Sequence, residues 1–143
     1  AKEKILLPRK STKINCAYDD EQYYCLNTAY VCLVKKDGYD IKFILSILNS
    51  ALINYFYSKL FFGWQVTIPA LGCIRIPQIK QKDQKPFIVL VDKILAITKD
   101  DDYLENSGKQ AKVRDYEKQI DQLVYKLYAL TPEEIKIVEN QAQ

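Results

Sequence analysis

Apolar residues at helical spacing across residues 41–60 constrain the fold of this chain more than any other feature. They recur every three or four positions, at Ile41, Ile44, Leu45, Leu48, Leu52, Tyr55, Phe56 and Leu60. Asp40 is a suitable N-cap before the first of them, and Gly63 follows the last. Because such a wide apolar face must be buried, the pattern predicts one long helix inside the core. The uncharged stretch from Phe43 to Ser58 is too short for a membrane span, which needs about 20 residues.

Short runs rich in β-branched, aromatic and cysteine residues precede this helix and predict strands. These runs are Ile5–Leu7, Ile14–Tyr18, Gln22–Leu26 and Ala29–Val34. Asn27 and Thr28 form a tight link between the last two, and residues 35–38 give a turn signal. After the helix, the segments Trp64–Ile68 and Cys73–Ile76 predict two more strands. The first part of the chain therefore combines a small sheet with one helix.

The composition becomes polar after Pro77, and the remaining pattern is helical. One helix is predicted from Pro86 to Thr98 and a second from Ala111 to Leu130. The second carries a heptad seam at Val113, Tyr116, Ile120, Leu123, Leu127 and Leu130. This seam can pack on the preceding helix as an antiparallel pair, or dock on a neighbouring domain. Thr131 opens a capping box, which predicts a third, short helix.

These patterns together predict an α+β fold in two parts. Residues 1–80 form a head with a small mixed β-sheet and one long buried helix. Residues 81–143 form a helical tail, an antiparallel helix pair followed by a short C-terminal helix.

The chain has no methionine and begins Ala-Lys-Glu, so we expect it to be a piece of a longer protein, with a head that is incomplete at its N-terminus.

The residue types argue for binding rather than catalysis. The chain has no histidine, which removes the commonest general base and the commonest metal ligand. The cysteines form no C-x-x-C pair, so we expect free thiols and a reducing compartment, the cytoplasm. No glycine-rich phosphate loop is present. We therefore expect no catalytic residues, no metal and no cofactor in this chain.

One enzymatic alternative rests on Asp40 and Lys42. An acid and a lysine two positions apart form the metal-and-base pair of many nucleases, and Asp19 or Asp20 could supply the upstream carboxylate. That pair needs a strand, so that both side chains point the same way, whereas here it opens a helix. The simpler interpretation makes Asp40 a cap and Lys42 an exposed lysine. Another alternative to a binding surface on the head is a protein-interaction domain whose helical tail binds a partner.

A basic cluster near the N-terminus is the main candidate for a binding surface. Because the net charge is only +3, any polyanion site must come from local clustering. Residues 9–13 supply three basic side chains and two hydroxyls, which suit phosphate oxygens. A second group follows the long helix: Lys59, Trp64, Gln65, Thr67 and Arg75. In this second group, arginine and glutamine side chains can read base edges. For residues 9–13, a solvated turn without any ligand fits the composition equally well.

Four stretches of the chain resemble a known family. They are KILLPRKSTKINCAYDDEQYYCLNTAYVCL, IKFILSILNSALINYFYSKL, IRIPQI and VYKLYALTPEEIKIVE, in that order. Together they resemble the C-terminal specificity region of bacterial type IIG restriction-modification enzymes. This region is the TaqI-like specificity domain that follows adenine-specific (N-6) DNA methyltransferase cores.

The resemblance implies a target recognition domain that binds double-stranded DNA beside an upstream methyltransferase domain of the same chain. The methyl-transfer motif of the family, Asn or Asp followed by Pro-Pro-Tyr, does not occur here. S-adenosylmethionine and magnesium are thus expected of the parent enzyme rather than of this chain, and no membrane is expected. The residues we predict to contact DNA are Arg9, Lys10, Ser11, Thr12, Lys13, Gln65, Thr67 and Arg75. Asp19 is expected to stabilise a turn or to orient a basic side chain.

Overall fold

The computed structural model describes residues 2–141 of the chain. This part contains three strands and six helices. The strands are β1 (Lys4–Pro8), β2 (Ala17–Asp19) and β3 (Ala29–Cys32). The helices are α1 (Ile41–Leu48), α2 (Ala51–Leu60), α3 (Ile68–Gly72), α4 (Gln81–Thr98), α5 (Ser107–Leu127) and α6 (Pro132–Gln141). The predicted α+β class is confirmed.

The sheet has the order β2-β1-β3, and both pairings are antiparallel. The prediction of a mixed sheet was therefore wrong in strand direction. The connections between these strands contain no helix, and a parallel pair would need a long crossover. Ile5 lies opposite Tyr18 on one side and Cys32 on the other. Alternation along β1 turns Ile5 and Leu7 to one face, where both are fully buried against the helices.

Three predicted strands do not form. Residues 22–26 are irregular, and Gln22 has a positive φ of 62°. In the segment 64–68 only Gln65 forms an isolated bridge, and Thr67 caps α3 instead. Pro69 suits the first turn of that helix, because its missing N–H would have no partner there. The segment after α3, which includes residues 74–76, is irregular.

The predicted long helix is two helices, interrupted at Asn49 and Ser50. Ser50 has extended backbone angles (φ −66°, ψ 153°), and its hydroxyl accepts a hydrogen bond from the Ile53 N–H at 3.3 Å. Asparagine and serine hydrogen-bond to nearby backbone and so favour caps over helix interiors. The apolar period runs through the break, which is why it predicted one helix. At the other end, the predicted N-cap is confirmed: Asp40 accepts from the Lys42 N–H at 2.7 Å.

The helical tail follows its prediction closely, except at three helix ends. The first tail helix, α4, begins at Gln81 rather than Pro86. The second, α5, begins four positions earlier than expected and ends at Leu127 rather than Leu130. The antiparallel pair is observed: Lys109 lies 2.9 Å from Asp100 beside the turn, and farther along Lys93 lies over the Tyr116 ring. The capping box at Thr131 is confirmed in both directions.

A continuous hydrophobic core joins the head and the tail. It contains Ile5 from β1, Phe43 from α1, Phe87 from α4 and Val124 from α5. The Phe43 and Phe87 rings meet edge to face at 5.1 Å. The core thus spans residue 80, while the functional division of the chain at that point stays a prediction. Within residues 2–141, no helix is both long enough and apolar enough to cross a bilayer.

Candidate nucleic-acid interface

The basic segment, residues 9–13, leaves the end of β1 and is fixed on both sides by backbone hydrogen bonds. The Arg9 N–H donates to the Thr28 carbonyl at 2.9 Å, and the Arg9 carbonyl accepts from the Val66 N–H at 2.8 Å. Lys10 and Gln65 form an antiparallel bridge beside this bond. The segment is therefore held between the turn at residues 27–28 and the residues before α3, while most of its side chains stay exposed.

Arg9 is oriented by two contacts within the head. Its guanidinium donates to the Asn27 carbonyl at 2.9 Å and lies 5.2 Å from the centre of the Tyr30 ring. A guanidinium has five N–H donors, so this contact leaves donors for an anion. The side chain is exposed and already ordered, which lowers the entropy cost of gripping a phosphate.

Lys10 and Lys13 carry charges that nothing in the described chain neutralises. Both are exposed, and neither lies within 4 Å of a carboxylate oxygen among residues 2–141. The Ser11 hydroxyl accepts from the Lys13 N–H at 3.2 Å, which turns the segment tightly between the two lysines. Three basic side chains within five residues make this a favourable surface for a polyanion.

The structure brings the basic segment together with part of the second predicted group. A cavity of about 290 Å³ is lined by Lys10, Ser11, Thr12, Trp64 and Gln65. We call this cavity the Trp64 pocket. Five of the eight predicted contact residues are the basic segment itself. The bridge between Lys10 and Gln65 places a sixth predicted residue beside this segment.

Thr67 and Arg75 are placed differently. The Thr67 hydroxyl accepts from the Ala70 N–H at 3.3 Å and so caps α3 two positions beyond Gln65. Arg75 is exposed, and its carbonyl accepts from the Tyr128 hydroxyl at 2.5 Å, at the end of α5. No hydrogen bond or ion pair within residues 2–141 joins Arg75 to the basic segment. Neither Thr67 nor Arg75 is among the residues that line the Trp64 pocket, although Thr67 follows Gln65 closely in the chain.

Sequence reasoning missed Phe62, which is 92 % exposed and lies two positions before Trp64, itself 83 % exposed. Gly63 separates them with a φ of 143°, a conformation that side-chain-bearing residues rarely adopt. Two large aromatics around a glycine outside a regular element are a signal that could have been recognised.

Asp19 has the stabilising role that the sequence predicted. Its side chain is buried, accepts from the N–H groups of Glu21 and Tyr23 at 2.9 and 3.0 Å, and pairs with Lys4 at 3.1 Å. Burial opposes ionisation, but the Lys4 ammonium and the two N–H donors outweigh it and hold the pKa of Asp19 below its ordinary value. This buried charge fixes the loop between β2 and β3.

The nuclease alternative finds no support in the geometry. Asp40 caps α1, and the Lys42 ammonium pairs with Asp92 of α4 at 2.5 Å. Across residues 2–141, no three or more His, Cys, Asp or Glu side chains cluster in a way that could hold a metal ion. Lys42 thus fastens α1 to α4, and its ammonium is engaged in this ion pair.

A larger cleft of about 980 Å³ lies between residues 11–18 and the helices. Its α5 wall carries Glu117 and Asp121. Burial raises the pKa of both carboxyls, and Asp121 raises that of Glu117 further. Asp121 also accepts from the Ala51 N–H at 2.9 Å, so it anchors the start of α2. An acidic wall of this kind is unfavourable for a phosphate backbone.

Two of the four cysteines, Cys16 and Cys32, are unsuited to nucleophilic chemistry. Cys16 is buried, and burial, aided by Cys32, raises the pKa of its thiol to about 12. Burial also raises the pKa of Cys32. A thiol is reactive as the thiolate, so these two groups are inert near neutral pH. All four cysteines are free, as the sequence predicted.

An α+β head with an ordered basic segment defines a module suited to binding a polyanion. The family model of the TaqI-like C-terminal specificity domain matches residues 1–79, which is more than half of the chain. The chain therefore belongs to the TaqI-like C-terminal specificity domain family, and the predicted resemblance is confirmed. Membership supports a DNA target recognition role in restriction-modification enzymes, and specificity domains are generally non-catalytic. No curated protein matches the chain in sequence.

Proposed function

We propose that this chain is the DNA target recognition module of a bacterial restriction-modification enzyme or adenine-N6 DNA methyltransferase. One observation carries the proposal: Lys10 and Lys13 lie exposed and unpaired within residues 2–141, beside an ordered Arg9. This arrangement lies inside the region that matches the specificity-domain family. Counterion release from the DNA backbone favours such a surface.

The contacts divide into two kinds. We assign phosphate contacts to Arg9, Lys10 and Lys13, with the hydroxyls of the two intervening residues as additional donors. We assign base-edge contacts to Gln65, whose amide can pair with adenine, and to Arg75, whose guanidinium can pair with guanine. Thr67 accepts at its cap, which leaves its hydroxyl hydrogen for a second acceptor.

The helical tail, residues 81–143, acts in this proposal as a spacer to the methyltransferase domain. Because α4 and α5 share the core of the head, they would hold the head at a fixed distance from a partner domain. Methyl transfer from S-adenosylmethionine, and cleavage with magnesium where the parent cuts, would take place in other parts of the parent protein. The expectation that this chain itself holds neither cofactor stays a prediction.

Selection of duplexes from a randomised pool tests the proposal. We expect the chain to enrich a short recurring sequence. On that sequence Gln65→Ala should lose about 1–3 kcal/mol of binding free energy, with little change on scrambled DNA. Lys10→Ala should instead weaken both about equally and reduce the salt slope by about 1. Lys136→Ala, an exposed lysine on α6, is the matched control.

Two outcomes would contradict the proposal. A pool that shows no enriched sequence would mean that the chain does not recognise a particular DNA sequence. Equal binding by all variants would mean that the basic segment does not contact the DNA. Salt-sensitive binding of duplex DNA would in turn argue against the alternative of a protein-interaction domain that never touches DNA.

A further inference from the structure

Trp64 is an exposed indole that does not contribute to the hydrophobic core. It is the only tryptophan of the chain and is 83 % exposed. An exposed tryptophan leaves a large apolar face in water, an arrangement that commonly marks a binding site. Its neighbour Gly63 has a φ of 143° and nothing within 4 Å of an added Cβ, so the bend that precedes the indole borders open space.

The backbone that carries Trp64 is held firmly. The next residue, Gln65, is bridged to Lys10, and its carbonyl accepts from the Tyr57 hydroxyl at 3.4 Å. Val66 is buried, and its N–H bonds to the Arg9 carbonyl at 2.8 Å. The indole is therefore presented from an ordered position directly beside the basic segment, as a preorganised binding group needs to be.

The Trp64 pocket combines the groups that recognise one nucleotide. Its volume of about 290 Å³ lies just below the usual ligand-pocket range of about 300–1,000 Å³. Trp64 offers an aromatic face, and Gln65 an amide that both donates and accepts. Lys10 and the hydroxyls of Ser11 and Thr12 suit the attached phosphate. Aromatic faces of this kind stack with any base.

Resting on the proposed function, we propose that the Trp64 pocket holds one unstacked nucleobase of the bound DNA, with the indole stacked on its face. An intact duplex must first unstack that base, whereas a duplex with an extrahelical base does not. The chain therefore prefers DNA that carries a single-nucleotide bulge over the same duplex without it. Trp64 supplies this preference, and the basic segment supplies the affinity common to both.

The single tryptophan makes the test direct. Its fluorescence, excited selectively over tyrosine, is titrated with a bulged duplex and with the matched intact duplex. The bulged duplex should bind about 5- to 100-fold more tightly and quench the tryptophan more strongly. Binding measured on labelled duplexes should lose this ratio in Trp64→Leu and keep part of it in Trp64→Phe. Tyr24→Leu is the control: it removes a fully exposed aromatic side chain outside the pocket and should keep the full ratio of the two affinities. An unchanged unfolding midpoint of Trp64→Leu would show that the variant is folded.

The outcomes separate this inference from the proposed function. Salt-dependent binding of both duplexes with equal affinity overturns the nucleobase pocket and leaves DNA recognition standing. The same holds if Trp64→Leu keeps the full preference for the bulged duplex. Absence of binding to either duplex overturns both proposals.

Discussion

Asp19 is a residue whose charge stabilises the fold at some distance from the proposed DNA surface. It is buried, yet it stays ionised because Lys4 and two backbone N–H groups surround it. Lys4 also donates to the Tyr23 carbonyl, so one ion pair orders both ends of the turn after β2. The same loop leads to Asn27, whose carbonyl holds the Arg9 guanidinium.

Replacing Asp19 with asparagine should make stability less dependent on pH. The lowered pKa means that the native state binds a proton less readily than the unfolded chain, whose aspartates titrate near about 3.9. The stabilising contribution is thus complete above about pH 5 and is lost as the pH falls through the native pKa. Urea midpoints from neutral to acid pH should show Asp19→Asn less stable near neutrality and converging with the wild type in acid.

Asp20→Asn provides the control for this experiment. Asp20 is exposed and pairs at 3.5 Å with an exposed lysine, Lys99, a contact that contributes little to stability. A stability difference between Asp19→Asn and wild type that stays constant at every pH would contradict the assignment.

Gly63 has a conformational role at the start of the Trp64 pocket. Its φ of 143° is unfavourable for any residue with a Cβ, although an added Cβ would meet nothing within 4 Å. Gly63→Ala should therefore destabilise the fold by about 1–3 kcal/mol through backbone strain alone. Chemical denaturation measures this directly.

Gly72→Ala is the matched control for the glycine experiment. Gly72 also has open space around it, but it ends α3 without a positive φ. Alanine there should leave stability within about 1 kcal/mol of wild type or raise it slightly. Equal effects at the two glycines would mean that the conformation of Gly63 does not matter.

At the scale of elements, two asparagines from the helices take the place of a missing strand. Asn54 accepts from the Ile14 N–H at 2.8 Å and donates to its carbonyl at 3.1 Å. Asn49 makes the same pair of bonds with Cys16, at 2.7 and 2.9 Å. Each side-chain amide thus satisfies both backbone groups of one residue, as a neighbouring strand would. The segment that follows the basic segment is fixed to the helices in this way.

Asn49→Ala should release this segment. Two partly buried backbone groups of Cys16 would lose their partners, at a cost of about 2–4 kcal/mol. Asn140→Ala on α6 removes an exposed asparagine and should change stability by less than about 0.5 kcal/mol. Denaturation of both variants gives the comparison. A loss at Asn49 no larger than at Asn140 would contradict the role of the amide.

Local signals predicted the elements whose determinants are local. The cap at Asp40 and the capping box at Thr131 each depend on residues two or three positions apart, and both were correct. The strand predicted to start at Ile14 starts at Ala17, because asparagines 40 and 33 positions away hydrogen-bond to the backbone of Ile14 and Cys16. The residues near Ile14 and Cys16 give no signal that such distant hydrogen-bond partners exist.

At the scale of the whole molecule, the sequence predicted the part of the candidate site whose residues are consecutive in the chain. Three basic side chains within residues 9–13 are visible in the sequence. The pocket forms only because Lys10 pairs with Gln65, and this pairing depends on the path of the intervening helices. The backbone carbonyl of Arg75 accepts from the Tyr128 hydroxyl, and this contact too has no local signal in the sequence. The sequence therefore predicted the charge of the candidate interface, while the shape of that surface is a product of the fold.

The shared core indicates how the head and tail work as a unit. The Phe43 and Phe87 rings pack together, and Gln84 of α4 donates to the Gly38 carbonyl at 2.6 Å and accepts from the Asp40 N–H at 2.9 Å. Motion of the tail against the head would break these buried contacts. The geometry of the basic segment relative to the tail is thus fixed by the fold, as the proposed spacer role requires.

The salt dependence of duplex binding tests the central claim most directly. The measurement compares wild type with a triple variant that carries Arg9→Ala, Lys10→Ala and Lys13→Ala. Its control carries the same loss of charge at three exposed tail lysines, as Lys82→Ala, Lys118→Ala and Lys136→Ala. The account predicts that the basic-segment variant binds more weakly, with a slope of log affinity against log salt that is smaller by about 2–3, while the control keeps the wild-type slope. Equal slopes in the two triple variants, or no salt-dependent binding by the wild type, would contradict it.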